Sequence, residues 1–421
     1  MRQPKIITTF QSYSWRVFVS DLWAGVTVAM VALPLSLAIA IASGADPAKG
    51  VITAIVGGFL ISLFGGSRVQ IGGPTGAFIV VVFGVIAEHG YDGLVLATFM
   101  AGIILLIGGY YRAGNLISFV PEAVVNGFTI GIGVLIATSQ LSNFMGLSVE
   151  NMPADLLDKI PTLWQARATF SPATFAIAVG TLVLIVGLRK MAPRFPGLIL
   201  AIGASSLLVF VMALPVETIG SQFGALPSQM PWPQMPDFSL SKVIELVPSA
   251  FIIAFLAGVE SLLSALVADK MIEGHHRPNA ELTAQGLANI GSALFTGLPA
   301  TGAIARTATN IKAGGKTPVA GLVHAAVLLL IMLFAAPLAS YLAMPALAAL
   351  LVVTAWNMSE PHKWGQYGRG RKSDIMLLLL TFILTVLVDL TVAIGVGVSV
   401  GYALRLSRRK AVESNWSPPD R

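Results

Sequence analysis

Arg306 and Glu260 are the residues whose types and surroundings could do chemistry in this chain. Arg306 stands in Thr301-Gly302-Ala303-Ile304-Ala305-Arg306-Thr307 within an apolar stretch. A guanidinium there costs about 3 kcal/mol and calls for an anion, a carboxylate or water. Glu260 lies in Ala257-Gly258-Val259-Glu260-Ser261-Leu262-Leu263-Ser264, with Ser264 one turn further along the same helical face. A carboxylate beside a hydroxyl can take up a proton or a sodium ion and so lose its repulsion for a nearby anion. The alternatives stay open at both positions. Arg306 could be a fixed ion-pair partner or reach the cytoplasmic face, and Glu260 could be its permanent counterion.

The elements that must position these groups are broken helices. Gly73-Pro74-Thr75-Gly76-Ala77 and Leu298-Pro299-Ala300-Thr301-Gly302-Ala303 each set a Pro and a Gly-flanked Thr before a short apolar run, about half the chain apart. Neither run is long enough to cross a bilayer. Upstream, Pro34-Leu35-Ser36-Leu37 and Val259-Glu260-Ser261-Leu262 fall at nearly the same offset, so Leu35 is the first-half counterpart of Glu260. Helices beginning near Thr75 and Thr301, with Pro in the first turn, would aim their N-termini at one midplane point from opposite sides. Each carries roughly half a positive charge and free N–H groups, so Thr75, Gly76, Ala77, Thr301, Gly302 and Ala303 would surround an anion. The extended residues leading into them are expected as short antiparallel strands. Glu260 reads as the only acid deep in a span, so the first half would shape the pocket and the second half carry its charge.

Composition requires a membrane protein. Of 421 residues, 55% are hydrophobic and 11% charged, and the mean hydropathy is +0.81. The net charge of +6 and pI near 9.6 do not indicate nucleic acid, because the basic residues sit in loops between apolar runs. The chain has no cysteine, so disulfides and thiolate-bound metals are excluded. Met1–Trp15 is polar and does not read as a cleavable leader. Fourteen segments are expected, at roughly 20–43, 50–65, 74–87, 93–110, 120–140, 172–189, 197–214, 246–268, 280–296, 301–313, 317–336, 339–356, 374–388 and 390–406.

With the N-terminus inside, Arg2, Lys5, Arg16, Arg68, Arg112, Arg189, Lys190, Arg194, Lys270, Arg277, Lys312, Lys316, Lys363, Arg369, Arg371, Lys372, Arg405, Arg408, Arg409, Lys410 and Arg421 all fall on the cytoplasmic side. Only Lys49, Lys159, Arg167 and Lys242 fall outside. Both termini are then cytoplasmic in a cell (inner) membrane. The longer loops, 143–171 and 215–245, are external and carry Glu150, Asp155, Asp158, Glu217 and Asp237. Seven segments per half invert the repeat. The organisation expected is residues 1–19 as a cytoplasmic N-terminus, 20–245 and 246–406 as the two repeats, and 407–421 as a cytoplasmic tail.

Other polar residues read as structural. His89, His275, His276 and His362 fall in loops and read as solvated, and His324 as a satisfied buried imidazole. Gly131–Gly133 and Gly395-Val396-Gly397 read as close helix contacts rather than phosphate loops. Asn289 is a polar span residue open to a structural or a functional reading. Asp269 and Lys270 mark an interfacial boundary.

From about Asp21 to Arg409 the sequence resembles the sulfate permease family of anion transporters. The carrying motifs are Ala32-Leu33-Pro34, Gly65-Gly66-Ser67-Arg68, Gly72-Gly73-Pro74-Thr75-Gly76-Ala77, Gly258-Val259-Glu260-Ser261-Leu262-Leu263, Glu281 with Gly286-Leu287-Ala288-Asn289-Ile290, Thr301–Ala308 and Trp356-Asn357-Met358-Ser359-Glu360. The resemblance implies an all-α polytopic fold of 14 segments in a seven-plus-seven inverted repeat. It implies a core domain (about 20–110 and 246–336) that moves elevator-fashion against a gate domain (about 120–214 and 339–406). By position, Arg306 and Ala305 would contact the anion, while Leu35, Ile39 and Thr75 line the facing wall. Glu260 and Ser264 would hold the coupling cation, a proton or sodium, with no other cofactor. Members usually end in a cytoplasmic STAS domain, which this sequence lacks, and sodium-binding members carry Asp where Glu260 stands. A homodimer is compatible with the family pattern.

The resulting expectation is a secondary transporter and not an enzyme, since no nucleophile or metal cluster lies in the spans. Its cargo would be a small anion, with a proton-coupled C4-dicarboxylate first, sodium-dependent bicarbonate second and sulfate third. An uncoupled anion channel is the rival of another class. A nucleobase–cation symporter of the same fold is opposed by the central Arg306 and by a missing signature after the ninth segment.

Overall fold

The computed structural model describes residues 3–9, 13–115, 121–149, 152–153, 156–191, 197–388 and 390–407. Arg2, Arg194, Arg408, Arg409, Lys410 and Arg421 of the expected cytoplasmic set, and Glu150 and Asp155 of the external set, lie outside the described residues. In chain order the elements begin with α1 (Lys5–Thr9), α2 (Trp15–Ala42), α3 (Pro47–Phe64), β1 (Gly72–Gly73), α4 (Ile79–Tyr110), α5 (Glu122–Ser139), α6 (Leu141–Met145), α7 (Leu156–Gln165), α8 (Pro172–Met191) and α9 (Gly197–Val211). They continue with α10 (Ile219–Phe223), α11 (Leu240–Ile272), α12 (Pro278–Leu294), β2 (Thr301–Gly302), α13 (Ile304–Lys312), α14 (Val319–Ala339), α15 (Met344–Met358), α16 (Trp364–Gly368), α17 (Lys372–Leu387) and α18 (Leu390–Ser407). Every segment expected from the sequence overlaps one of these helices. Seven described helices are long and apolar enough to cross a membrane by length and composition, while α9 is shorter.

The helix starts follow their local sequences. Asp46 accepts from the Ala48 N–H at 2.8 Å ahead of Pro47 at the first position of α3, and Ser239 accepts from the Lys242 N–H to cap α11. The third and fourth expected segments form one helical run, Ile79–Tyr110, broken at Gly90 with φ 71° and ψ 179°. The short helices α6, α7, α10 and α16 were not expected, because five to ten residues are too few for a periodic signal.

The two expected strands are present. Gly72 pairs with Gly302 and Gly73 with Thr301, antiparallel, and the Ala303 N–H extends the contact to the Ile71 carbonyl at 2.9 Å. This pairing corrects the expected helix starts. A single 3-10 turn, Gly76–Phe78, precedes α4, and α13 begins only at Ile304. Pro74 and Pro299 therefore stand in extended backbone rather than in a first helical turn. The ladder holds Gly73 beside Pro74, Asn289 holds Ala300 beside Pro299, and neither imide has an N–H that would need an acceptor there.

The helices contact one another in two groups. In the first, α4 lies on α11 and α12, α3 on α12 and α14, and α2 on α14 and α13. In the second, α5 lies on α17 and α15, and α15 on α8 and α9. Small residues permit the closest crossings, as expected where lipid removes any hydrophobic drive between helices. A methyl group on Gly102 or on Gly286 would lie 2.8 Å from the other's carbonyl oxygen, so α4 and α12 touch backbone to backbone. Gly131 and Gly133 face Thr385 and the Ala355 carbonyl, and Gly397 faces Thr381, so these are helix contacts, whereas Gly395 faces open space.

Candidate anion site

The β1–β2 pair brings the two half-helix starts together, and the groups singled out in the sequence gather around it. Arg306, in the first turn of α13, is 1% exposed and donates from Nη2 to Ser36 Oγ on α2 at 3.1 Å. Its Nε and Nη1 have no partner. Buried donors left open cost about 1–3 kcal/mol each, so this guanidinium is half-committed and ready for an acceptor. Gly73 makes room for it. At φ 148°, Gly73 occupies backbone space that side-chain-bearing residues rarely adopt, and a methyl group there would lie 2.1 Å from Nη1.

Glu260 on α11 is half-buried, and its Oε2 accepts from Thr75 Oγ1 at 2.8 Å. Glu260 and Arg306 are not joined by an ion pair, and each is bonded to a hydroxyl instead, Thr75 and Ser36 respectively. Ser264 does not bond Glu260; its hydroxyl donates to Thr307 Oγ1 at 3.3 Å, and Thr307 Oγ1 also accepts from the Ile71 N–H at 3.1 Å. Ala305 is exposed and Leu35 half-buried, while Ile39 is 1% exposed. Ala303, Gly76 and Ala77 are buried beside the helix starts. Thr301 is committed elsewhere, since its hydroxyl donates to the Ala257 carbonyl at 2.8 Å, and Gly302 belongs to the ladder. Two helix N-termini and a guanidinium thus concentrate positive potential around one place, with Glu260 at its border.

A second polar cluster behind β1 was missed by the sequence reading. Glu281 on α12 is fully buried and accepts five bonds: from the Gly66 and Ser67 N–H groups, Gln70 Nε2, Ser261 Oγ and Gln285 Nε2, at 2.8–3.1 Å. Asp21 is also fully buried and accepts from the Lys316 and Thr317 N–H groups at 2.7 and 3.1 Å. Glu260 is therefore not the only acid deep in the fold. Spacing could have revealed the cluster. Glu281, Gln285 and Asn289 recur every four residues along one face of α12. Asn289 turns out structural, clamping the Ala300 N–H and carbonyl at 3.0 and 2.8 Å and so fixing the approach to β2.

His276 and His89 differ from expectation. His276 is not solvated: its Nδ1 lies 2.6 Å from Asp269 Oδ2, because the turn after α11 folds it back on that helix. His89 is mostly covered and sits 3.3 Å from Glu245. His324 is buried as expected, yet neither ring nitrogen has a partner. His275 and His362 are exposed. Among the described residues no group of His, Asp or Glu is arranged to hold a metal.

Helices broken at a two-stranded junction, with a buried arginine between them, define a class of membrane transporter. Residues 18–381 match the sulfate permease family, and the chain belongs to it. YvdB of Bacillus subtilis (strain 168), provisionally named a sulfate transporter, is 45% identical over 382 residues, which cover 90% of this chain and 72% of that protein. The bicarbonate transporter BicA of Picosynechococcus is 32% identical over 408 residues, 94% of this chain and 71% of BicA. The solved transmembrane domain of a cyanobacterial BicA superposes with a TM-score of 0.79 at 28% identity, covering 93% of this chain and 98% of that one. SLC26A9 shares the fold at a TM-score of 0.86 and 16% identity, covering 97% of this chain and 68% of that one. The protein is a polytopic membrane anion transporter, not an enzyme.

Proposed function

We propose that this chain is a secondary active carrier that binds a small inorganic oxyanion at Arg306 and moves it by alternating access. The observation that carries the reading is the buried guanidinium with Nε and Nη1 open between two helix starts. A planar fork of donors suits an oxyanion, which can accept two parallel charge-assisted bonds. Ala305, Thr75, Gly76, Ala77, Ala303, Leu35 and Ile39 enclose it, with Thr301 and Gly302 holding the backbone behind. Glu260, with Thr75 and Ser264 close by, takes the coupling cation. The relatives' names speak for sulfate and bicarbonate, and those named here do not speak for the C4-dicarboxylate that the sequence motifs favoured.

In this reading the first helix group is assigned to the core (about 20–110 and 246–336) and the second to the gate (about 120–214 and 339–406). The turn at Gly76 meets Met358 and Ile136 of the gate, which fits an elevator step of one group along the other. The antiparallel chain directions at β1 and β2 favour the inverted repeat, and the charge pattern favours cytoplasmic termini in an inner membrane.

The test is uptake of labelled bicarbonate, sulfate and fumarate into proteoliposomes, each under an imposed sodium or proton gradient. Bicarbonate or sulfate accumulation that follows one gradient is expected. Accumulation of fumarate alone would return the dicarboxylate, and flux indifferent to both gradients would make the protein an uncoupled channel.

A further inference from the structure

An apolar groove lies away from the anion site, between α5, α16 and the first turns of α17. It encloses about 270 Å³ and is walled by Ile130, Trp364, Tyr367, Ile375, Leu378 and Leu379. Its two polar wall atoms are already engaged, since Trp364 Nε1 donates to the Ser359 carbonyl at 2.7 Å and the Tyr367 hydroxyl to Glu360 Oε2 at 3.0 Å. The Trp356 ring stands edge-on to Trp364 at 5.7 Å, so the rim is braced and the interior offers only hydrocarbon contacts.

Cations outnumber carboxylates beside the groove, where Asp374 in the first turn of α17 is half-buried with an interaction of its own and Glu122 of α5 lies near Tyr367. Arg369, Arg371 and Lys372 are exposed at the start of α17, while Glu360 is occupied by Lys363 at 2.8 Å and by Tyr367. At 1.5 Å per residue, Ile375 to Leu379 lie about 6–12 Å along the axis from Arg371. The polar layer of a bilayer is about 5–8 Å thick on each side, so a phosphate at Arg371 puts the chain below it at the depth of the groove. We infer that this groove holds an acyl chain of one anionic phospholipid, with its phosphate on Arg369, Arg371 and Lys372. The inference needs only the membrane embedding and is independent of the cargo at Arg306.

The purified full chain, offered equal amounts of phosphatidylglycerol and phosphatidylcholine of matched chain length, would be examined by native mass spectrometry. One phosphatidylglycerol should be retained in preference. The preference should fall about fivefold for each cation replaced in R371Q, R369Q/R371Q and R369Q/R371Q/K372Q. L378W, which fills the groove and leaves the cations, should reduce retention of phosphatidylglycerol. R306A should retain the lipid as the unmodified chain does, separating this site from transport. Equal retention of the two lipids, or a preference that survives in R371Q and in the triple variant, would overturn the inference.

Discussion

At Arg306 only Nη2 is committed, so the variants that matter preserve the charge or the space and change one thing. Arg306→Lys keeps the cation but loses the fork, and apparent affinity for the anion should weaken at least about tenfold. Initial-rate uptake against concentration would measure this, and an unchanged half-saturation would exclude the guanidinium from the site. Gly73→Ala should abolish uptake while the protein stays monodisperse, because the added methyl would fall 2.1 Å from Nη1 and φ 148° disfavours a Cβ. Glu260→Gln holds the side chain permanently neutral, so uptake should lose its response to the sodium or proton gradient. A gradient profile matching the unmodified protein would remove Glu260 from coupling. Arg306, Glu260 and Thr75 were legible in the sequence because ionisable or polar groups in apolar runs are costly and therefore rare. Ser36 was not legible. Its Oγ also donates to the Ala32 carbonyl, a routine bond inside a helix, and only the tertiary approach of α13 turns it toward Arg306.

At the scale of elements, α12 is the spine behind β1. Glu281→Gln puts an amide nitrogen where the carboxylate accepts five bonds, leaving donors facing donors. Its thermal midpoint should fall, consistent with about 1–3 kcal/mol or more for a buried unsatisfied group, and a midpoint equal to that of the unmodified chain would deny the cluster its role. The link between the N-terminal segment and α2 has a pH dependence of determinable sign. Burial first, and then the Asp21 charge, push the Tyr13 hydroxyl from 10.0 up to about 12. The folded chain holds that proton more tightly than the unfolded one. The Tyr13–Asp21 contribution is therefore complete below pH 10 and is lost as pH rises towards 12. Tyr13→Phe should flatten this part of the stability curve.

Across the whole molecule, the two helix groups meet at the 3-10 turn Gly76–Phe78, which touches both α5 and α15. If the first group carries the anion along the second, Ala305 must change its surroundings with the bound state. The chain contains no cysteine, so Ala305→Cys creates a single thiol at an exposed position. A membrane-impermeant maleimide should label it from one membrane face at a time, and transported anion should slow the labelling. Labelling that ignores the anion would move the site away from Ala305.

The sequence by itself determined the membrane class, the approximate positions of the long helices, the two breaks and the arginine between them. All of these follow from local composition: hydrophobic length, Gly and Pro in short interruptions, and the cost of charge in an apolar run. It also anticipated paired strands, because extended backbone inside a membrane needs a partner. Only the tertiary structure decided that β1–β2 pairing delays both helix starts, that Thr75 rather than Ser264 bonds Glu260, and that Arg306 bonds Ser36. Only it brought the Gly66 and Ser67 N–H groups and Gln70 from across the chain onto Glu281 and set His276 on Asp269. Those outcomes depend on which polar groups, distant in sequence, meet across helices, and spacing along one helix does not specify that.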